Sequence, residues 1–485
     1  MKSKECNVIV VGAGPSGLWI ACELSLARLK VCVIERRAEP MSQSRSLTIH
    51  GRTLEMFAMR GLHERFLQVG RPMPSWHFAG LPTALDFSSM ESRHPYMLFI
   101  AQTQTERLLQ ERAMELGVEF HRGCTASHIA QSEKGVEVHV HDASGTRRID
   151  AAYLVGADGA RSQVRQQAGI AFPGMAATQS VMMADAQVDL PDGKATLSIE
   201  SAAGGLTILP LGQGKQRIIR LDPERRHVDS HEPLSEGELR ESLVRIAGHD
   251  FSLRNATWLT RFSDETRLAD TYRQGRIFLL GDAAHIHAPM GGQGLNVGLQ
   301  DAMNLGWKLG AVAKSKAPAV LLDTYEAERR PEGQRLLQST LAQVALTSRY
   351  DEAGLALRRT VSEFLRHPSL NRQLAGELSC FDLCYPQPLP GFESSQGALG
   401  WRMPDCNVIS EDGESSSIYA HLAGGSWLHL ELVSQERQPL PDWLSSREVQ
   451  QVRASIDTCP ALNGMKDVLV RPDGYVAAAR FISEA

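Results

Sequence analysis

Three glycines stand at positions 12, 14 and 17, directly after the apolar run Asn7-Val8-Ile9-Val10-Val11. That spacing suits a pyrophosphate. One glycine makes a tight turn, one lets phosphates approach the backbone, and one lets the following helix pack on the strand. Pro15 and Ser16 open that helix, whose first N–H groups are free and whose dipole is positive at this end. Glu35 ends the next apolar run, Val31-Cys32-Val33-Ile34, 18 residues after Gly17. A carboxylate there can accept hydrogen bonds from an adenosine ribose. Glycine spacing by itself also fits a purely structural turn. Strand, helix and acid in register point to a dinucleotide, without separating a flavin from a nicotinamide.

Two later segments decide between them. One is Gly156-Ala157-Asp158-Gly159-Ala160-Arg161-Ser162. The other runs from Gly275 through Gly281-Asp282-Ala283-Ala284-His285 to Pro289-Met290-Gly291-Gly292-Gln293-Gly294-Leu295-Asn296. It brings a carboxylate, Asp282, to the end of an apolar strand, where it can bind a polyol hydroxyl. The glycines let backbone approach a flat ring. A helix starting near Gly294 points its N–H groups at that ring, and reduced flavin carries negative charge at its pyrimidine edge. This is a second cofactor contact far along the chain, for which a nicotinamide cofactor gives no reason.

The elements that must position these residues follow from the pattern. Strand 7–11, a helix over 16–28 and strand 31–34 form a βαβ unit, which favours a parallel sheet. A helix is predicted over 103–116, with Thr103 and Glu106 as a capping box. Alternating runs at 118–141 suit a hairpin or meander. From 171 to 265 further alternation (Val181–Val188, Ala195–Ile199, Leu206–Leu209, Ile218–Leu221) predicts a largely antiparallel insert. Strand 276–280, a helix over 294–313 and another over 321–349, broken or kinked at Pro331, follow. Residues 385–397, rich in Pro, Gly and Ser, read as a linker.

Length and composition bound the class. At ~150 residues per domain, 485 residues suggest about three domains. With 42% hydrophobic and 22% charged residues the chain is globular. A net charge of −5 gives no electrostatic case for nucleic acid. Lys2 and Lys4 precede an apolar run, but Gly12–Gly17 interrupts it, so a cytoplasmic start is expected, with no membrane span. The eight cysteines are scattered. Cys380 and Cys384 have three residues between them, so free thiols in a reducing compartment are expected.

In these motifs the sequence resembles the class A flavoprotein monooxygenases, the aromatic hydroxylases of the para-hydroxybenzoate hydroxylase type, and among them the aromatic-polyketide hydroxylases and rifampicin monooxygenase. The glycine motif, Asp158-Gly159 and Gly281-Asp282 match the family's three fingerprints. So do Arg52-Thr53-Leu54-Glu55, Asp301-Ala302-Met303-Asn304-Leu305-Gly306-Trp307-Lys308 and Tyr325-Glu326-Ala327-Glu328-Arg329-Arg330-Pro331. The resemblance covers residues 1 to about 350. The tail Leu469-Val470-Arg471-Pro472-Asp473-Gly474-Tyr475-Val476-Ala477 resembles the thioredoxin-like terminal domain of the longer members, without its two-residue-spaced Cys pair. A packing or dimerisation role is expected of it, with a homodimer left open.

The resemblance implies an α/β fold: a Rossmann-like FAD-binding domain (1–170 and 271–384, the latter with long helices), an inserted, mainly antiparallel substrate domain (171–270), the linker, and a thioredoxin-like domain (398–485). It implies FAD, with NADPH or NADH as reductant and dioxygen as co-substrate. Expected cofactor contacts are Gly12, Gly14, Pro15, Ser16, Gly17, Glu35, Arg36, Arg45, Gln102, Asp158, Arg161, Asp282, Pro289, Gly292, Gly294, Leu295 and Asn296. Pro289 should lie beside the flavin ring where dioxygen reacts; Pro289 and Arg45 are the catalytic candidates. The reaction implied is hydroxylation of a phenolic, polycyclic, polyketide-like substrate through a flavin hydroperoxide. Baeyer–Villiger oxygen insertion is the alternative, and a non-catalytic flavin- and aromatic-binding protein the remaining one. The Trp-x-Trp motif of flavin halogenases is absent.

The substrate pocket is expected among Trp76, His77, Met183, Leu206, Ile208, Pro210 and Arg220. Half of the sheet residues should be core, Arg220 could orient a phenolate or be a surface arginine, and Trp76-His77 could equally be a surface loop. No metal site is expected. His285 and His287 fit the flavin loop better, and His227/His231 lack the Glu after the first His that a zinc protease needs.

Overall fold

The structure is a computed structural model that describes residues 6–212, 214–314, 316–392, 398–432, 440–456 and 459–482. Strand β1 (Val8–Val11), helix α1 (Pro15–Leu26) and β2 (Val31–Glu35) open the chain. All of β1 and β2 is buried, as expected of parallel strands covered on both faces. Helix α1 ends two residues earlier than predicted, because Arg28 turns left-handed at φ 62°. Helix α2 (Gly51–Ala58) and α3 (Gln102–Glu115) follow, then β3 (Glu119–Arg122) and β4 (Tyr153–Gly156). The capping box is not formed. Ala101 is the N-cap of α3, and the backbone N–H of Thr103 donates to Ser44 Oγ at 3.2 Å.

After the short helix α4 (Gln163–Gln167) comes the insert. Its strands are β5 (Ser180–Gln187), β6 (Leu197–Ser201), β7 (Gly204–Gly212), β8 (Lys215–Leu221) and, after helix α5 (Glu236–Ala247), β9 (Arg254–Ser263). They form a five-stranded sheet in the order β6-β7-β8-β5-β9, with every pairing antiparallel. Strands β10 (Arg273–Gln274) and β11 (Ile277–Leu279) return to the first sheet. That sheet has the order β10-β11-β4-β1-β2-β3, parallel except at the β10 edge. The chain leaves β1 toward β2 on one side and reaches β4 on the other. The Gly12–Gly17 turn therefore lies at the carboxyl end of the strand where the order reverses, the place where open α/β sheets bind ligands.

Helices α6 (Gly294–Ala313) and α7 (Asp323–Thr347) come next. A Cβ at Gly306 would lie 2.5 Å from Glu23 Cβ, and one at Gly310 2.7 Å from Ala27 Cβ, so these glycines let α6 press against α1. Helix α7 runs unbroken through Pro331, so of the predicted break or kink the break is not found. Helices α8 (Glu352–Phe364) and α9 (Pro368–Ser379) complete the helical part.

The terminal module is one sheet of β12 (Asn407–Ser410), β13 (Ser415–Ser417), β14 (Trp427–Glu431), β15 (Val449–Ile456), β16 (Met465–Val470) and β17 (Val476–Phe481). Its order is β13-β12-β15-β14-β16-β17, with β14/β15 parallel and the other pairs antiparallel. Cys406 and Cys459 form a disulfide, which corrects the expectation that all cysteines are free. Register explains the pair: Val408 faces Ile456, so residues just before β12 and just after β15 meet. The other six cysteines are free thiols. From the expected linker, Tyr385 and Leu389 are buried, and 393–397 lie outside the described residues. One apolar core runs from the parallel sheet into the terminal module, whereas the insert has its own core beneath α5. Among the described residues no helix is long and apolar enough to cross a membrane.

Candidate functional site

The glycine turn is fixed by close approach. Gly12 has φ 108°, and a Cβ there would lie 2.2 Å from the carbonyl oxygen of Ala157. A Cβ on Gly17 would lie 2.0 Å from the carbonyl oxygen of Gly12. Around Gly14 there is open space, on the side from which a phosphate would come. Gly14 is the N-cap of α1, Pro15 takes the first helical position, and no side chain caps this end. Glu35 is buried. Its Oε2 accepts from the Ala13 N–H at 2.8 Å and its Oε1 from the Arg37 N–H at 2.9 Å, so it ties the turn to the end of β2.

The second half of the cradle is the 281–296 segment. Gly281 is left-handed at φ 58° and sits against Ser16, whose Oγ would be 2.9 Å from a Cβ there. Asp282 opens toward solvent while protein walls it on the remaining sides. That crowding raises its carboxyl above the ordinary range, opposed by His285 and Arg45. The described residues give the carboxylate no hydrogen-bond partner. Pro289 is exposed. Gly292 (φ 68°) leaves no room for a Cβ beside Thr48 Oγ1, and Gly294 none beside His287 Nε2, at 2.1 and 2.5 Å. Leu295 is partly buried in the first turn of α6, which no side chain caps.

Several expected cofactor ligands are already occupied by protein. The Asn296 side chain is buried; its Oδ1 accepts from the His50 N–H (2.8 Å), and its Nδ2 donates to the carbonyls of Gly292 (2.9 Å) and Thr48 (3.2 Å). Gln102 accepts from the Ser46 N–H and donates to Glu106. Asp158 accepts from Ser162 Oγ and from the N–H groups of Gln163 and Val164, so it caps α4. Burial raises its carboxyl, and these bonds counter it. Arg161 lies on the surface, donating to His231 at 2.7 Å. Arg36 is exposed, and so is Arg45, whose charge reaches Asp282. Thus Asn296, Gln102 and Asp158 each hold backbone of the cradle in place.

The inserted sheet has two faces, set by the period of two. Met182, Leu206, Ile208 and Ile218 point into the core beneath α5. Leu206 and Ile208 are therefore not pocket residues. Arg220 shares their parity and corrects both of its readings. It is wholly buried and donates to the carbonyls of Ala203 (2.8 Å), Gly205 (3.3 Å), Ser242 (3.3 Å) and Leu221. Pro210 follows the same parity at the end of β7, where the register shifts. On the opposite face, register aligns Met183 with Ile219, and Asp185 with Arg217 and Trp258. Arg217 makes a two-pronged ion pair with Asp185 (2.8 Å each), lies 5.2 Å from the Trp258 ring, and donates to the Arg45 carbonyl at 3.4 Å. That contact turns this face toward the cradle. Trp76 and His77 stack loosely at 5.2 Å beside Phe99, and burial lowers the His77 imidazole to about 4.

Sequence reasoning missed the Asp185–Arg217 pair. Its signal was an acid and a base inside two apolar alternating runs, at the parity of Met183 and Ile219. It also gave no role to Asp301 on α6. This buried carboxylate accepts from Arg329 Nε and His285 Nε2 (2.8 Å each) and from the Gly281 N–H (3.2 Å). Burial would raise its carboxyl, but Arg329 and His285 outweigh that and hold it below the ordinary value. Nor was His50 found. Its two ring nitrogens meet the carbonyls of Leu378 (2.6 Å) and Gly291 (3.1 Å), and burial lowers it to about 4.

Comparison with known proteins decides the family. A model of the FAD-binding domain matches residues 5–340, and one of the aromatic-ring hydroxylase C-terminal domain matches residues 396–484. The chain belongs to the FAD-binding aromatic-ring hydroxylases. It is 41% identical to 12-dehydrotetracycline 5-monooxygenase/anhydrotetracycline 6-monooxygenase of Streptomyces rimosus, over 97% of this chain and 94% of that one. Identity to the rifampicin monooxygenase of Streptomyces venezuelae is 37%, over 98% and 95% of the two chains. The solved structure of anhydrotetracycline hydroxylase from Streptomyces rimosus superimposes with a TM-score of 0.88 at 40% identity, covering 98% of this chain and 96% of that one. The protein is thus an FAD-dependent aromatic monooxygenase, and NAD(P)H is the reductant typical of such hydroxylases. The residues present fit FAD: an open, uncapped helix start at Gly14, an unpartnered carboxylate at Asp282, and a second uncapped helix start at Gly294.

Proposed function

We propose that this hydroxylase adds one oxygen atom from dioxygen to a phenolic, polycyclic ring system, using NAD(P)H. The carrying observation is the mainly apolar sheet face of buried Met183 and partly buried Leu209, Ile219 and Trp258, turned toward the cradle by the Arg217–Arg45 contact. Small-molecule sites are mostly apolar with a few placed polar groups, and Asp185–Arg217 supplies those groups here. Relatives named for tetracycline and rifampicin substrates support a polycyclic ligand.

Bound FAD supplies the electron transfer and oxygen activation that no side chain can perform. The chain's own residues bind and orient it. The N–H groups following Gly14 would receive the diphosphate, and Glu35 the adenosine ribose. Asp282 would take a ribityl hydroxyl, and the α6 N-terminus would stabilise negative charge at the pyrimidine edge. Pro289 and Gly292 would flank the ring, with Arg45 closing the cleft. Apolar walls at Met183 and Ile219 would keep water from the reacting oxygen. A cytoplasmic setting fits the demand for NAD(P)H.

The test is turnover of a panel of polycyclic phenols with FAD, NADH or NADPH, under ¹⁸O-labelled dioxygen. The expected result is substrate-stimulated NAD(P)H consumption and one labelled oxygen on a ring carbon of at least one product. A labelled lactone would assign oxygen insertion instead. A product converted without labelled oxygen would overturn the proposal.

A further inference from the structure

We propose that Asp301 is the positioning residue of the FAD site: one buried carboxylate clamps both ends of the 281–285 turn and so aims Asp282. The inference rests on the reading of Asp282 as an FAD ligand, and it adds what holds that ligand in place.

The geometry is specific. Asp301 has no solvent exposure. Its Oδ2 accepts from the Gly281 N–H, one residue before Asp282, and from His285 Nε2, three residues after it. His285 Nδ1 is buried with no partner among the described residues. The imidazole is thus held through one ring nitrogen, by its bond to Asp301. Gly281 is left-handed, so its N–H direction sets the course of the chain into Asp282. The carboxylate of Asp282 has no hydrogen-bond partner among the described residues, so its position follows from this turn, with His285 and Arg45 acting on it only through their charge.

The opposite side of Asp301 reaches the other half of the cradle. Its Oδ1 accepts from Arg329 Nε, and Arg329 also donates to the carbonyl of Val297 (3.3 Å), in the first turn of α6, and to Tyr385 Oη (2.8 Å). One ion pair therefore ties together the Asp282 turn and the α6 N-terminus, the two features placed against the flavin.

A second buried pair on the same two helices provides the control. Glu328, next to Arg329 on α7, accepts from Lys308 of α6 (2.7 Å) and from both terminal nitrogens of Arg471 (2.8 Å each). It is buried and paired like Asp301 but contacts neither the 281–285 turn nor the α6 N-terminus.

The experiment is an equilibrium FAD titration of the full chain by flavin fluorescence, with the visible spectrum of the bound flavin and the melting temperature with and without FAD. Asp301→Asn is expected to raise the FAD dissociation constant at least tenfold and to shift the flavin spectrum. Glu328→Gln is expected to lower the melting temperature of the apoprotein while leaving the dissociation constant within about twofold. Equal affinity in Asp301→Asn and the native chain overturns the proposal, and so does an equal loss in Glu328→Gln, which would reduce the effect to general loosening. If Asp301→Asn does not fold, the paired variants His285→Gln and His285→Leu decide. The glutamine keeps a donor toward Asp301 and should retain affinity, the leucine should lose it, and equal affinities overturn the proposal. Asp282→Ala in the same titration separates the two readings: retained affinity there defeats the ligand assignment, whereas loss there with none in Asp301→Asn defeats the positioning role alone.

Discussion

The cofactor cradle and the inserted sheet use their residues in opposite ways. In the cradle, the side chains that look chemically able are bonded to protein: Glu35 to Ala13, Asn296 to Thr48 and Gly292, Asp158 to the start of α4. What such a cradle offers a ligand is backbone N–H at two uncapped helix starts, the remaining lone pairs of carboxylates such as Glu35, and at Asp282 a carboxylate with no hydrogen-bond partner among the described residues. In the sheet the backbone is saturated by its ladders, and the side chains of one face are what a ligand can meet. A cradle made of backbone demands particular glycines and tolerates little. A wall made of side chains can change its ligand by substitution without changing the fold.

This difference can be broken or sharpened in order of size. Gly12→Ala puts a Cβ against the Ala157 carbonyl at a left-handed position. It should remove about 3 kcal/mol or more of stability and abolish FAD retention, read by thermal melting and the visible spectrum. Ile208→Ala, in the core beneath α5, should lose about 2–5 kcal/mol with FAD affinity unchanged; chemical denaturation with a parallel FAD titration checks both. An acid series comes next. Burial holds His50 neutral and lowers it to about 4 from an ordinary 6.5, against the carbonyls of Leu378 and Gly291, which pull it back up. The unfolded chain takes up that proton first, so stability is full above pH 6.5 and is lost as pH falls toward about 4. The loss should be about 2–3 kcal/mol, and a His50→Gln variant should show a flatter melting-temperature profile across that window. The smallest effect is expected from Met183→Ala on the cleft face. Its KM should rise about tenfold, equivalent to about 1.4 kcal/mol, with kcat and FAD affinity little changed. A Met183 variant with native kinetics beside an Ile208 variant with altered KM would reverse the assignment of the two faces.

Much of the cradle was legible because spacing constrains backbone. Gly12, Gly14 and Gly17 lie in the turn as read, α6 begins at Gly294 as predicted, and Glu35 ends β2. The side-chain roles were less legible, because a motif shows where a residue sits but not what has already bonded to it. Asn296 and Gln102 were read as ligands, and their partners at Thr48 and Ser46 come from a distant segment. The sheet was legible as alternation, yet the alternation does not say which face meets α5, so Leu206 and Ile208 fell on the wrong side. The Cys406–Cys459 pair depends on the β12/β15 register across 53 residues. Pro331 was read as a break or kink, and α7 carries it without a break. The charge cluster of Asp301, Arg329 and Glu328 lay within quoted motifs, and only the packing of α6 on α7 shows that it joins the FAD turn to the terminal module.

The most direct measurement is the FAD dissociation constant of the purified chain and of Asp282→Ala, taken side by side. The account predicts tight, saturable binding with a flavin spectrum bleached by NAD(P)H for the native chain, and loss of at least tenfold in affinity for the variant. Native affinity in Asp282→Ala, or no FAD retained by the native chain after reconstitution, would contradict it.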